Sequence, residues 1–166
     1  MIEPDDVRAL GEVFIEQLSS AYSTDFYLEE TRIALASARI VVPWVLERTG
    51  AQTVIDIGCG TGAWAAVAQG AGCDVKGVDY GVPEPLRLIR AYQDHDLTGG
   101  YDCTGWDLAI CVEVAEHLPP AAAEPLVAGM AGATTILFSA ATPGQPGINQ
   151  IHCQPHAYWH ALFAQY

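Results

Sequence analysis

Val7, Leu10, Phe14 and Leu18 recur every three to four residues, which predicts a helix over residues 4–20 with one apolar face. A second run of helical spacing, through Ile33, Ala36, Ile40, Val41, Trp44 and Val45, predicts a helix over 28–48, with Pro43 as a kink or break and Gly50 closing it. At Thr53 the period changes. The β-branched run TVIDIG predicts a strand, and the glycines after it lead into an alanine-rich helix over 63–70. The alternation continues: DVKGVDY reads as strand, PEPLRLIRAY as short helix and DLAICVEV as buried strand. Residues 120–130 read as helix, TTILFSA as strand, 141–155 as a polar Pro/Gly loop, and the segment through Trp159 and Phe163 as a last helix. Strands separated by helices imply parallel pairing through right-handed crossovers. The expected fold is α/β, a doubly wound Rossmann-like sheet in three layers, α/β/α. No repeat or linker divides the chain; helices over 1–50 cover a core over 51–166 within one structural domain.

At 166 residues the chain has the length of one domain, and 51% hydrophobic against 16% charged residues excludes a disordered tail. Seven Lys and Arg stand against 20 Asp and Glu, a formal charge of −13 that repels phosphate backbones, so direct nucleic-acid binding is not expected. No apolar run approaches the ~20 residues of a membrane span, and MIEPDDV lacks the features of a signal peptide, so the expected location is the cytoplasm. The five cysteines are odd in number and form no C-x-x-C pair, which argues for reduced thiols rather than a disulfide framework or structural zinc.

The segment VIDIGCGTGAWAAVA carries the most chemistry. Glycines at 58, 60 and 62 permit positive φ and close approach of a ligand, and the helix after them offers unpaired N–H groups to an anion. Gly58, Gly60 and Ala63 also satisfy the dinucleotide pattern G-x-G-x-x-G/A, with Asp79 near the spacing of a ribose-binding acid. Asp56 separates the two possibilities: two residues before the first glycine, a carboxylate opposes a pyrophosphate but attracts an ammonium group through a water or a loop contact. Asp96, in the HDL at 95–97, is an acceptor for an adenine amine, and the fourth strand runs on into CVEVAEHLP.

Together these residues resemble a class I S-adenosylmethionine-dependent methyltransferase over roughly residues 26–166, and LFSAATPGQPGINQIHCQPHAYWHALF resembles the region after strand five in a bacterial small-molecule subfamily. The resemblance implies S-adenosyl-L-methionine as cofactor, S-adenosyl-L-homocysteine as product and a small molecule accepting methyl at oxygen or nitrogen. It also implies site residues. Gly58, Cys59, Gly60 and Gly62 receive the methionine part, Asp79 the ribose hydroxyls, Tyr80 packs beside the adenine, Asp96 with Leu97 holds its edge, and Val112 and Glu113 lie near the transferring methyl. Members of the family usually carry two further strands, so an incomplete sheet is expected here: either the sequence is a fragment, or the edge of strand five is covered by other means such as a homodimer.

His117 is the candidate base, since it follows strand four at the sheet's ligand-collecting edge and imidazole titrates near neutrality; a helix-capping or loop-holding role is the alternative. Glu113, Glu116 and His117 form E-x-x-E-H, which resembles the metal-binding signature of some methyltransferases, with His152 or His156 to complete it; no metal is assigned. Asn149, Gln150, His152 and Gln154 are expected to orient a polar acceptor, and Tyr158, Trp159 and Phe163 to pack the core. Two other functions remain open: a nicotinamide-binding oxidoreductase domain, and a non-catalytic cofactor-binding module.

Overall fold

Five strands, β1 (Thr53–Ile57), β2 (Asp74–Asp79), β3 (Tyr92–Asp94), β4 (Leu108–Val112) and β5 (Thr135–Ser139), pair in parallel in the order β3-β2-β1-β4-β5. This computed structural model describes residues 23–166. Helices α1 (Thr24–Thr49) and α2 (Ala63–Gly70) cover one face of the sheet, while α3 (Ala123–Met130) and α4 (His156–Phe163) cover the other. Successive side chains of β4 go to opposite cores: Leu108 and Ile110 meet Val42 and Ala65 on one face, while Ala109 and Cys111 meet Leu126 and Trp159 on the other. A strand buried on both faces needs apolar residues at every position, and LAICV has them.

The order places β1 between β2 and β4, so the chain leaves β1 first to one side and later to the other. At that switch point the loops beyond the carboxyl ends of the strands part and leave a crevice. The α/β doubly wound sheet expected from the alternation is therefore present. Among the described residues β5 pairs only with β4 and forms one edge. No described helix is long and apolar enough to cross a membrane.

Two elements differ from the sequence expectation. The helix over 4–20 lies outside the described residues. Pro43 sits inside α1 without ending it: the ring removes one N–H, but Ala38, Val42 and Val45 are buried on both sides of it and packing holds the helix together. Ser23 caps its start by accepting from Phe26 N at 3.2 Å, and Gly50, at φ 68°, closes its end as expected. Residues 83–92 form no α-helix. Pro83 and Pro85 limit the segment to a 3₁₀ turn, Glu84–Leu86, after which the chain extends so that Leu88 N reaches Thr61 O at 2.7 Å and Ile89 is buried. All five cysteines are free thiols, four of them buried.

Candidate functional site

The turn after β1 holds three glycines in the left-handed region, Gly58 at φ 70°, Gly60 at 54° and Gly62 at 87°. It is sewn to β2: Gly58 N and Cys59 N both donate to Val78 O, at 2.8 and 3.2 Å, and Gly60 N donates to Asp79 Oδ2 at 2.6 Å. A Cβ on Gly60 would meet nothing within 4 Å, because this residue faces an open cavity of about 760 Å³. That volume suits a cofactor together with a small partner. Besides the glycine turn, the wall is built by the ends of β2 and β3, the segment 112–118 after β4, the loop at 145–150 and the first half of α1.

Asp79 ends β2 on this wall. Its second oxygen accepts from Tyr80 N at 2.6 Å, so the carboxylate is fixed by two main-chain donors while each oxygen keeps a further lone pair. Burial pushes its titration up, opposed by those two N–H groups. Tyr80 stands beside it with 74% of its surface exposed. Asp96 lies two residues past β3 and accepts from Thr98 N at 2.9 Å, a bond that holds its carboxyl below the ordinary value. Leu97, buried, adjoins it on the wall.

Asp56 is not on the wall. It is 2% exposed, lies beneath the turn and accepts from Ala65 N at 3.1 Å, so β1 itself supplies the carboxylate at the start of α2, where Gly62 offers no side-chain cap. The carboxylate expected to attract a ligand's ammonium group through a water or loop contact makes a helix-capping bond. Burial first, then the proximity of Asp79, pushes the Asp56 carboxyl up to about 7, against the pull of Ala65 N–H. A carboxyl that titrates near 7 folded and near 4 unfolded stabilises fully below about pH 4 and loses that contribution as pH rises to about 7. Chemical denaturation across this window should show wild-type stability falling with rising pH and Asp56→Asn showing a flatter profile. Equal slopes for the two proteins would exclude Asp56 as the source.

Beyond β4, Glu113 has φ 56°, uncommon for a residue with a side chain, and its carboxylate accepts from Ser139 Oγ at 2.7 Å and Gln145 Nε2 at 3.1 Å. Val112 and Glu113 both line the cavity. So does His117, whose Nδ1 lies 3.2 Å from Asn149 O. A carbonyl only accepts, so Nδ1 carries the proton and the neutral ring keeps Nε2 as its acceptor. Glu116 is fully buried in the same wall with neither carboxyl oxygen partnered, and burial raises its titration. Its main-chain O receives Ile151 N at 2.8 Å and His152 N at 2.9 Å, which pins the loop after β5 against the segment after β4.

That pinning divides the polar cluster expected to meet an acceptor. Gln150 lines the cavity and Asn149 holds His117, but His152 turns into the core between Tyr158 and Trp159, with ring centroids at 5.6 and 5.5 Å. Gln154 lies off the wall. Trp159 is buried and Phe163 packs on Phe138 at 5.1 Å, so the aromatic residues of α4 serve the core as expected. Among the described residues no group of three or more His, Cys, Asp or Glu is arranged to hold a metal ion. Sequence reasoning missed Thr31, whose Oγ1 meets Thr61 Oγ1 at 2.7 Å and ties α1 to the glycine turn, and it missed Glu30 and Trp64 on the wall. Thr61, inside the glycine motif, was legible; Thr31 and Glu30 look like any polar positions on an amphipathic helix.

The family model described as methyltransferase domain matches residues 27–127. A ubiquinone biosynthesis O-methyltransferase of Photorhabdus laumondii is 31% identical in an alignment 94 residues long that covers 46% of this chain and 38% of that protein. The chain thus aligns with less than two-fifths of that curated relative. Among solved structures, a SAM-dependent methyltransferase from Archaeoglobus fulgidus superposes with TM-score 0.63 at 19% identity, covering 86% of this chain and 73% of the other. Magnesium protoporphyrin IX methyltransferase from Synechocystis, with bound SAH, gives TM-score 0.57 at 20% identity over 87% and 78% of the two chains. At these identities the two structures establish the shared fold.

Proposed function

The chain belongs to the family of methyltransferase domains, and from that membership we propose that it transfers a methyl group from S-adenosylmethionine to an oxygen or nitrogen of a small molecule. The arrangement of Asp56 and Asp79 carries this reading. With Asp56 already bonded to Ala65 N at the start of α2, a pyrophosphate would meet a buried carboxylate where a dinucleotide site offers free N–H groups. Asp79, held by Gly60 N and Tyr80 N, keeps acceptor capacity for a vicinal diol. The open space above Gly60 fits the slender amino-acid end of the cofactor. The residues present therefore suit S-adenosylmethionine better than a nicotinamide dinucleotide.

When bound, the cofactor supplies a methyl carbon already activated on a sulfonium, so the chain's own residues bind, orient and handle one proton. Asp79 takes the ribose hydroxyls, Tyr80 lies beside the adenine, and Asp96 and Leu97 hold its edge. Gly58, Cys59, Gly60 and Gly62 shape the amino-acid subsite. Val112 and Glu113 bound the space where acceptor and methyl meet. His117 Nε2 takes the proton that an oxygen acceptor gives up, while the Asn149 carbonyl keeps the ring in that tautomer. The name of the curated relative, an O-methyltransferase, favours oxygen. Five free thiols suit the reducing cytoplasm, and the outer edge of β5 is where a second copy would pair.

Calorimetry with S-adenosylhomocysteine and with a nicotinamide dinucleotide tests the ligand; tighter dinucleotide binding would overturn the reading. Transfer of labelled methyl to a panel of acceptors then separates an enzyme from an inert binder. His117→Asn is expected to lower kcat roughly 100-fold with an oxygen acceptor while leaving homocysteine-adduct affinity unchanged. An unchanged kcat would return His117 to a loop-holding role.

A further inference from the structure

Among the described residues, five carboxylates line the cavity, Glu30, Asp79, Asp96, Glu113 and Glu116, and neither lysine nor arginine does. Four of the six described lysine and arginine side chains are engaged elsewhere, and Arg39 and Arg90 lie off the cavity wall. Arg32 pairs with Glu29 at 2.7 Å, Arg87 with Asp94 at 2.8 Å, and Lys76 donates to Tyr101 Oη at 2.6 Å. Arg48 lies over the Trp44 ring at 4.0 Å from its centroid. Residues 1–22, outside the description, contain five further acids and one arginine. A cleft with one sign of charge concentrates ligands of the opposite sign and repels its own.

Asp79 and Asp96 belong to the cofactor in the reading above. Glu30, Glu113 and Glu116 remain for the part of the cavity between α1, the segment after β4 and the loop at 145–150. Ser139 and Gln145 orient the Glu113 carboxylate, but as neutral donors they leave its charge in place. Glu116 adds a second observation: both oxygens are buried without a well-formed hydrogen bond, with only main-chain N–H groups, that of Ala141 among them, near the carboxyl. Orphaned buried polar atoms are rare in folded proteins and mark places where a ligand or ordered water completes the structure.

We propose that the acceptor is a neutral or cationic small molecule, presenting an N–H or O–H donor to the wall of Glu113 and Glu116, and that carboxylate- and phosphate-bearing molecules are turned away. The proposal rests on the methyl-transfer reading. It narrows the acceptor by charge: a phenol, an alcohol or an amine-bearing compound fits, whereas an organic acid or a nucleotide does not. No lysine or arginine on the described wall would offset the repulsion of an anion, and like-charge juxtaposition at a binding surface weakens association substantially.

The test compares acceptors that share a nucleophile and differ in charge. Catechols carrying a methyl, an aminomethyl or a carboxyl substituent, and further panel compounds as matched amide and carboxylate pairs, are incubated with the full chain and labelled S-adenosylmethionine. Each anionic member is expected to show kcat/KM lower than its neutral or cationic partner by roughly tenfold or more, with the gap narrowing at high salt. Glu30→Lys, at the exposed mouth of the cavity, should shrink the gap by roughly threefold or more. Anions used as well as their partners, or a gap that salt leaves unchanged, would overturn the proposal. Turnover of no pair also overturns it, and S-adenosylhomocysteine calorimetry on the same sample then tells whether the cofactor site itself stands.

Discussion

Asp79→Ala is expected to weaken S-adenosylhomocysteine binding roughly 1,000-fold. A carboxylate that accepts two hydroxyl donors contributes about 1.5–3 kcal/mol through each charge-assisted bond, and both are lost. The change also removes the acceptor of Gly60 N and Tyr80 N, at 2.6 Å each, so the glycine turn loses its tie to β2. Asp79→Asn keeps the shape and one acceptor oxygen, and should fall between wild type and alanine, roughly 30-fold weaker than wild type. Calorimetry measures both affinities, and circular dichroism checks that the sheet persists. An alanine variant that binds within tenfold of wild type would reduce Asp79 to a turn cap and remove the main support for the cofactor assignment.

The role of Asp56 was written in the alternation of β1, although the motif around it suggested otherwise. Val54 and Asp56 share one face of that strand, Ile55 and Ile57 the other, and Val54 packs in the core that contains Ala65 of α2. Period two therefore directs Asp56 beneath α2, away from the crevice. Strands β1 and β4 were legible because both faces of the sheet are buried there and their apolar runs, VIDI and LAICV, have no polar interruption apart from this acid. The turn was legible because only glycine takes three left-handed φ values in five residues without strain. Less legible were the parts fixed by long-range packing. Ile89 is drawn under the turn by space that Gly62 and Gly77 leave open, where a Cβ on either would press on its side chain at 2.8 and 2.7 Å. That anchoring extends the chain after the 3₁₀ turn, although Leu86 and Ile89 stand three apart as on a helical face. His152 is drawn inward because its main-chain N–H bonds to Glu116 O, a pairing across 36 positions that no local pattern announces.

Gly58→Ala should destabilise the fold by about 3–5 kcal/mol, and the reason is a contact as well as a dihedral angle. At φ 70° a side chain enters the left-handed region, which costs about 1–2 kcal/mol. The new Cβ would also collide with both γ-carbons of Val114, and overpacking of this kind costs about 1–3 kcal/mol or more. Val114 belongs to the segment that carries Glu113 and His117, so relief by moving it displaces that wall of the cavity. The double variant Gly58→Ala with Val114→Ala removes the collision and keeps the dihedral strain, and should recover about half of the loss. Gly60→Ala supplies the contrast: at φ 54° with nothing within 4 Å of its Cβ, it should cost only about 1 kcal/mol in stability while intruding on the cofactor's amino-acid subsite. Thermal denaturation and homocysteine-adduct calorimetry on the three variants separate the effects. Stability lost at Gly58 and affinity lost at Gly60 is the expected pattern. A Gly58→Ala protein melting within about 2 °C of wild type would mean that Val114 yields freely and that the turn and the segment after β4 are not mechanically joined.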